Sequence, residues 1–314
     1  MSNEDIHPLV NITDSIDHAI LSDMLRITML IYNYGKNIVL PMDEEEPSNN
    51  KSNNISSDIS DQTINSFVSE LHTTNNFENL ELNETRKKVL LEIAKSVPSG
   101  QLCEYIEDPD TDLQAGITIS KGKKRICVVF RGSESKSDWY YDMMIMKHKL
   151  HDDIYVHSGF HLHLTKNNTY DKILSKLSTL TAANPDFQVY ITGHSLGGAL
   201  ATLFGYMISN TIKNKIIVAS FASPRVGNYK WKIAFDSKEN LTHYRITNKR
   251  DIITAFPYYR YYHVGINIQL SDTKYHTFDQ SYLKNWYDES IFTCWSAYEH
   301  DCDLYYNRLL KNSW

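Results

Sequence analysis

The chain has 314 residues and a formal net charge of −6, and 41% of its residues are hydrophobic. That composition can supply a large core in one or two domains, and the absence of a Lys/Arg block disfavours nucleic acid as a partner. Four cysteines are too few for a disulfide scaffold in a chain of this length.

Residues 1–42 predict a helical segment that packs on a larger domain. Between Ile16 and Tyr34 the apolar residues fall on one helical stripe, and Gly35 ends the pattern. Two charged residues interrupt the stripe, so we expect an amphipathic helix and no transmembrane segment. The first five residues are acidic and lack the features of a secretory signal. This favours an intracellular location and leaves peripheral contact with a lipid surface open.

A polar, low-complexity stretch at residues 43–62 predicts a flexible insertion, because it cannot bury enough apolar surface to become ordered. A second helical pattern follows near Asn83 to Ser96. We expect residues 63–314 to form one large domain, since no later stretch reads as a linker.

From Leu113 onward, strand and helix patterns alternate along the chain. Strands that alternate with helices predict an α/β fold with a mainly parallel, doubly wound sheet. In such sheets functional residues gather at the carboxyl ends of the strands. The predicted elements are the strands Gln114 to Ser120, Ile126 to Arg131, Phe187 to Thr192, Ile216 to Phe221 and Leu241 to Thr247, and the helices Thr169 to Leu180 and Ala199 to Ile208.

The sequence Gly193-His194-Ser195-Leu196-Gly197 joins a predicted strand to a predicted helix. This is the pattern of a nucleophile elbow, a sharp turn that lifts a serine clear of the backbone. The turn leaves no room for side chains at the two flanking positions, which explains both glycines. The alternative is a glycine-rich turn whose serine only caps the helix.

A serine hydroxyl needs a histidine to take its proton and a carboxylate to orient that histidine, and this topology predicts the chain order Ser, Asp, His. Asp251 follows a predicted strand and is the best candidate acid, although a solvated aspartate in a charged loop fits the spacing as well. Three histidines follow it, His263, His276 and His300. His194 precedes the serine, and we expect its side chain to point away from the site.

Four further segments resemble motifs of the class 3 lipase family, the fungal-lipase-like branch of the α/β-hydrolases. The resemblance covers roughly residues 105 to 310 and implies an α/β-hydrolase fold. The segments are Phe130-Arg131-Gly132-Ser133 with Ser137-Asp138-Trp139, Val156-His157-Ser158-Gly159-Phe160, Phe221 to Asn228, and Asn248 to Pro257 around Asp251.

The resemblance implies a role for each matching position. It makes Ser195 the nucleophile, Asp251 the triad acid, and Ser133 with Leu196 the oxyanion hole. Glu299-His300-Asp301 resembles the late segment that supplies the base, so His300 is the first choice, with His263 next. The tyrosine that often follows this histidine lies further along the chain here, at Tyr305.

The resemblance also implies the function, which is hydrolysis of lipid carboxylic esters such as acylglycerols through an acyl-Ser195 intermediate, with no cofactor. Phospholipase, galactolipase and short-chain esterase activities stay open, as does a non-catalytic binding or signalling module. The apolar stretch at residues 139–146 is where the family has a lid, although part of it could equally be core. We expect no metal site, since the loop at Asp108 to Asp112 lacks the glycine of a calcium loop.

Overall fold

The structure is a computed structural model that describes residues 16–38, 40, 92–93, 96, 100–132, 146–257, 259–278, 296–312 and 314. The predicted insertion at residues 43–62 lies outside the described residues, as does nearly all of the predicted helical region near Asn83 to Ser96.

One mixed sheet organises the described part of the chain. Among the described residues, eight strands form this sheet, and two others form a separate hairpin. In chain order the strands are β1 (Gln101–Asp108), β2 (Leu113–Ser120), β3 (Arg125–Phe130), β4 (Lys147–His151), β5 (Ile154–His157), β6 (Gln188–His194), β7 (Ile216–Phe221), β8 (Leu241–Asn248), β9 (Ile266–Leu270) and β10 (Tyr275–Phe278). The sheet has the order β1-β2-β3-β6-β7-β8-β9-β10, while β4 pairs with β5. The five strands from β3 to β9 in this order are parallel to their neighbours, and the outer pairs are antiparallel.

Helices cover both faces of the sheet. They are α1 (His18–Tyr34), α2 (Ser158–Thr165), α3 (Thr169–Ala183), α4 (Leu196–Ile208), α5 (Tyr229–Asp236) and α6 (Cys302–Lys311). The central strands are buried on both faces, so neighbouring residues such as Val128 and Val129 belong to different core clusters. One cluster lies under α2 to α5, and the other lies under α1 and α6.

The structure confirms the predicted strands β2, β3, β6, β7 and β8, the predicted helices α1, α3 and α4, and the mainly parallel sheet. Helix α1 packs against β3, β6 and α6. It ends at Gly35, whose φ is 54°. Glycine adopts positive φ values more readily than other residues do. None of the described helices is long and apolar enough to cross a membrane.

Candidate active site

Ser195 lies in a sharp turn between β6 and α4. Its backbone has φ 58° and ψ −125°, a conformation that is strained for any residue with a side chain. The Ser195 N–H donates to the carbonyl oxygen of Phe221 at the end of β7 over 2.9 Å, which holds the turn against the sheet. Strand, strained serine and helix therefore follow one another as a nucleophile elbow requires.

Both glycines of the motif are required by close backbone packing. A Cβ atom on Gly193 would lie 2.4 Å from the carbonyl carbon of Gly197, and one on Gly197 would lie 2.3 Å from the carbonyl oxygen of Phe130. The neighbours are main-chain atoms in a close-packed interior, so they cannot rotate away as a side chain could. The structure confirms that neither position has room for a side chain.

We expect Gly197→Ala to lower the free energy of unfolding by about 3 kcal/mol, because the added methyl group must push α4 away from β3. The same shift would displace Ser195. Urea unfolding measures the change, with Gly122→Ala as control, since Gly122 is exposed in the turn between β2 and β3 and its φ is not positive. A loss below about 0.5 kcal/mol would show that the elbow tolerates the methyl group.

The structure brings Ser195, His300 and Asp251 together. His300 Nε2 lies 2.8 Å from Ser195 Oγ, and His300 Nδ1 lies 2.9 Å from Asp251 Oδ2 and 3.0 Å from Oδ1. Ser195 follows β6 and Asp251 follows β8, two parallel strands that flank β7, so both residues emerge at the same edge of the sheet. The third residue reaches this edge from a 3₁₀ turn at Tyr298–His300, immediately before α6.

Asp251 is fully buried, and its carboxylate is surrounded by donors. Besides His300, it accepts hydrogen bonds from the Tyr305 hydroxyl (2.7 Å) and from the Ile253 N–H (2.9 Å). Burial first, and then the charge of Asp251, raise the pKa of Tyr305 well above its usual value, so this hydroxyl stays protonated and donates. A carboxylate whose two oxygens have these partners is held in one position, from which it can orient a histidine.

The other histidines lie elsewhere. His263 is bonded through Nε2 to the Thr254 carbonyl (2.8 Å), and burial, followed by the nearby Arg245 charge, lowers its pKa well below the usual value. His276 lies on β10, near one end of the sheet. Of the three histidines that follow Asp251, His300 is therefore the one that contacts Ser195.

Several contacts that were not predicted from the sequence hold the His300 turn in place. The Nε2 atom of His194 bonds the His300 carbonyl oxygen (3.0 Å), and the side-chain amide of Asn248 donates to the Glu299 carbonyl (2.8 Å). The Glu299 side chain pairs with Arg308 of α6. The centre of the His194 ring lies 4.8 Å from that of the His300 ring, and its hydrogen bond links the elbow to the turn that carries His300.

Only one of the two predicted oxyanion residues can be located. Leu196 is the first residue of α4, and the first N–H groups of a helix have no acceptor within that helix. Its N–H could therefore bind an oxygen next to Ser195. Ser133 lies outside the described residues, although the preceding Gly132 passes close to the elbow, since a Cβ on it would lie 2.8 Å from the His194 carbonyl oxygen.

The structure bears on two other expectations, the lid region and the metal site. Of the predicted lid region at residues 139–146, Met146 alone is described, and it is 63% exposed. Within the described part of the chain, no group of three or more His, Cys, Asp and Glu side chains could hold a metal ion.

Comparison with known proteins shows which family the central part of this chain resembles. Residues 127–261 match the model of the family described as lipase (class 3). Phospholipase A1-II 3 from Oryza sativa subsp. indica is 30% identical over 200 residues, which cover 54% of this chain and 46% of that protein. Phospholipase A1-IIgamma from Arabidopsis thaliana is 28% identical over 211 residues, with 58% and 49% covered. The chain thus spans about half the length of these curated relatives.

Solved structures show the same fold. The triacylglyceride lipase of Rhizomucor miehei aligns with a TM-score of 0.60 at 21% identity, covering 68% of this chain and 82% of that one. A lipase from Rhizopus microsporus var. chinensis aligns with a TM-score of 0.58 at 22% identity, covering 84% and 94%. The predicted α/β-hydrolase fold is confirmed. Residues 127–261 of this chain thus resemble the class 3 lipase family in sequence, and the described chain shares the fold of these lipases.

Proposed function

We propose that this protein hydrolyses carboxylic esters of lipids, with Ser195 as nucleophile, His300 as general base and Asp251 as the residue that orients the base. The observation that carries the proposal is the position of His300, whose ring joins the Ser195 hydroxyl (2.8 Å) to the buried Asp251 carboxylate (2.9 Å). These distances allow direct proton transfer from serine to histidine.

The reaction would proceed in two halves. His300 Nε2 takes the proton as Ser195 Oγ attacks the ester carbonyl, and then returns it to the departing alcohol, which leaves an acyl-Ser195 ester. Water, activated by the same histidine, hydrolyses that ester. The Leu196 N–H, together with a donor from Ser133, would stabilise the negative charge on the former carbonyl oxygen, and losing one such donor costs about 3 kcal/mol. Neither half of the reaction requires a cofactor.

Acylglycerols are the substrate class we propose first. Tyr298 lies on the same turn as His300 and is 70% exposed, so a large aromatic side chain lies at the surface beside the candidate site. Exposed apolar groups around a site are typical of proteins that meet lipid. A phospholipase activity is the second candidate, because relatives from two plants are named phospholipase A1.

Covalent labelling with a fluorophosphonate tests the enzyme class, since this reagent modifies a serine only when a base activates it. We expect one equivalent of reagent to bind, on the peptide that contains Ser195. Hydrolysis of nitrophenyl butyrate and nitrophenyl palmitate, measured with and without detergent, then tests the lipid specificity, and we expect turnover of the palmitate.

The outcomes separate the alternatives. Labelling with turnover of the butyrate alone would indicate a short-chain esterase. A folded protein that neither binds the reagent nor hydrolyses either ester would instead be a non-catalytic binding module.

A further inference from the structure

A pocket of about 490 Å³ lies beside β4 and the start of α5. Its walls are tied together by backbone hydrogen bonds, from Asn228 N–H to the Tyr155 carbonyl (2.9 Å) and from Tyr262 N–H to the Gly227 carbonyl (2.8 Å). The pocket is therefore built from elements that are fixed relative to one another. It is lined by Lys147, Tyr155, Asn228, Tyr229, Arg260 and Tyr262.

The pocket is lined by connections that begin at the edge of the sheet where Ser195 lies. Its lining residues come from the three connections that leave the carboxyl ends of β3, β7 and β8, and Ser195 leaves the carboxyl end of β6, between β3 and β7. These strands are parallel, so their carboxyl ends lie along one edge. A lipid surface that reaches the candidate active site would meet this edge.

Two cations face the pocket. The Lys147 ammonium donates to the Arg260 carbonyl oxygen (3.1 Å) and lies 4.8 Å from the centre of the Tyr261 ring. Among the residues that the structure describes, neither Lys147 nor Arg260 forms an ion pair with a carboxylate. Burial first, and then the neighbouring Arg260 charge, lower the pKa of Lys147. An anion bound between the two side chains would relieve that repulsion.

The surface around the cations is apolar and exposed. Met146 is 63% exposed, Tyr259 is 53% exposed and Tyr229 is 45% exposed, although all three side chains are large. Aromatic side chains with a polar tip, next to basic residues, are typical of surfaces that sit at the boundary between water and lipid. A small soluble anion would not contact these apolar residues, whereas a phospholipid has both a charged headgroup and apolar chains.

We propose that this pocket binds the phosphate group of an anionic glycerophospholipid in the surface on which the enzyme acts. The inference rests on the proposed function for the presence of a lipid surface at this edge. It adds a headgroup site, with Lys147 and Arg260 as the charged ligands, and so predicts a preference for phosphate-bearing lipid surfaces over uncharged ones.

Vesicle sedimentation tests the site without turnover when every protein carries Ser195→Ala. We expect vesicles of phosphatidylcholine with about 30 mol % phosphatidylglycerol to bind this protein far more tightly than vesicles of phosphatidylcholine alone. Adding Lys147→Gln with Arg260→Gln should weaken binding to the anionic vesicles about 30-fold, since each basic residue near such a surface strengthens binding several-fold.

Two matched variants control for charge and folding. Lys213→Gln with Lys215→Gln removes the same charge from the other edge of the sheet, where both residues are exposed before β7, and should leave binding unchanged. Lys147→Arg with Arg260→Lys keeps both charges and should retain binding. If both glutamine pairs weaken binding to the anionic vesicles equally, the proposal is wrong, because binding would then depend only on net charge.

A soluble probe separates the lipid from free phosphate. If glycerol 3-phosphate binds tightly in calorimetry while the anionic vesicles bind no better than neutral ones, the site takes a soluble phosphate and the lipid assignment is wrong. The binding results do not depend on catalysis. If the protein hydrolyses no ester but binds vesicles through Lys147 and Arg260, the proposed function is wrong and the headgroup site still stands.

Discussion

Alanine at Ser195 or at His300 is expected to lower kcat/KM for ester hydrolysis by about 10⁶-fold, and the double variant should be no worse than either single one. The reason is the single proton path between the two side chains, Oγ to Nε2 over 2.8 Å. Without the base the hydroxyl is a weak nucleophile, and without the hydroxyl the base has nothing to activate. Initial rates with nitrophenyl palmitate measure the effect, and fluorophosphonate labelling should be lost in both variants.

The controls for these variants are residues of the same type nearby. Ser209→Ala removes a serine just beyond the other end of α4, where its hydroxyl bonds the Tyr206 carbonyl, and His276→Ala removes a histidine from β10. Both should retain activity, and thermal unfolding should show that all variants fold. If His300→Ala kept more than about a tenth of the wild-type rate, another group would have to be the base.

The elbow and the central strands could be predicted because their signals are local. Gly193 and Gly197 are fixed by contacts within a few residues and with the adjacent strand β3. Strands β3 and β7 are buried along their whole length, and β6 is buried from its second residue onward, so their sequences are largely apolar.

Other strands were not predicted because their sequences are polar. The hairpin strand β4 contains two lysines and two histidines and is largely exposed, and the outer strand β1 has only two buried positions. Some polar residues, by contrast, are buried. His243 and Arg245 look like surface residues, yet they lie inside the central strand β8, where burial is the main cause that lowers their pKa values to about 3 and about 9.

The base could be ranked from the sequence only by resemblance, because its position depends on distant contacts. His300 is 105 residues from Ser195 and 49 from Asp251. The turn that carries it is fixed by His194 in the elbow and by Arg308 on α6. The bond from Tyr305 to Asp251 spans 54 residues and likewise depends on where α6 packs. Spacing along the chain contains none of this information.

Asp251→Asn is expected to lower kcat/KM by about 10⁴-fold while the protein remains folded. The carboxylate accepts hydrogen bonds from His300 Nδ1, the Tyr305 hydroxyl and the Ile253 N–H, so both of its oxygens face donors. An amide has one oxygen, and its NH₂ group would have to face one of these donors. Turned toward His300, the NH₂ favours the tautomer that carries the proton on Nε2, which can no longer take the serine proton.

Two further variants show that this loss arises from the triad. Asp301→Asn makes the same chemical change one residue after His300, where the side chain caps α6, and asparagine caps a helix as well as aspartate does. It should retain activity. Tyr305→Phe removes one bond to the carboxylate and should cost about tenfold, as expected for a hydrogen bond to a charged group. If Asp251→Asn lowers kcat/KM no more than Tyr305→Phe does, the carboxylate has only a structural role and the orienting role assigned to it is wrong.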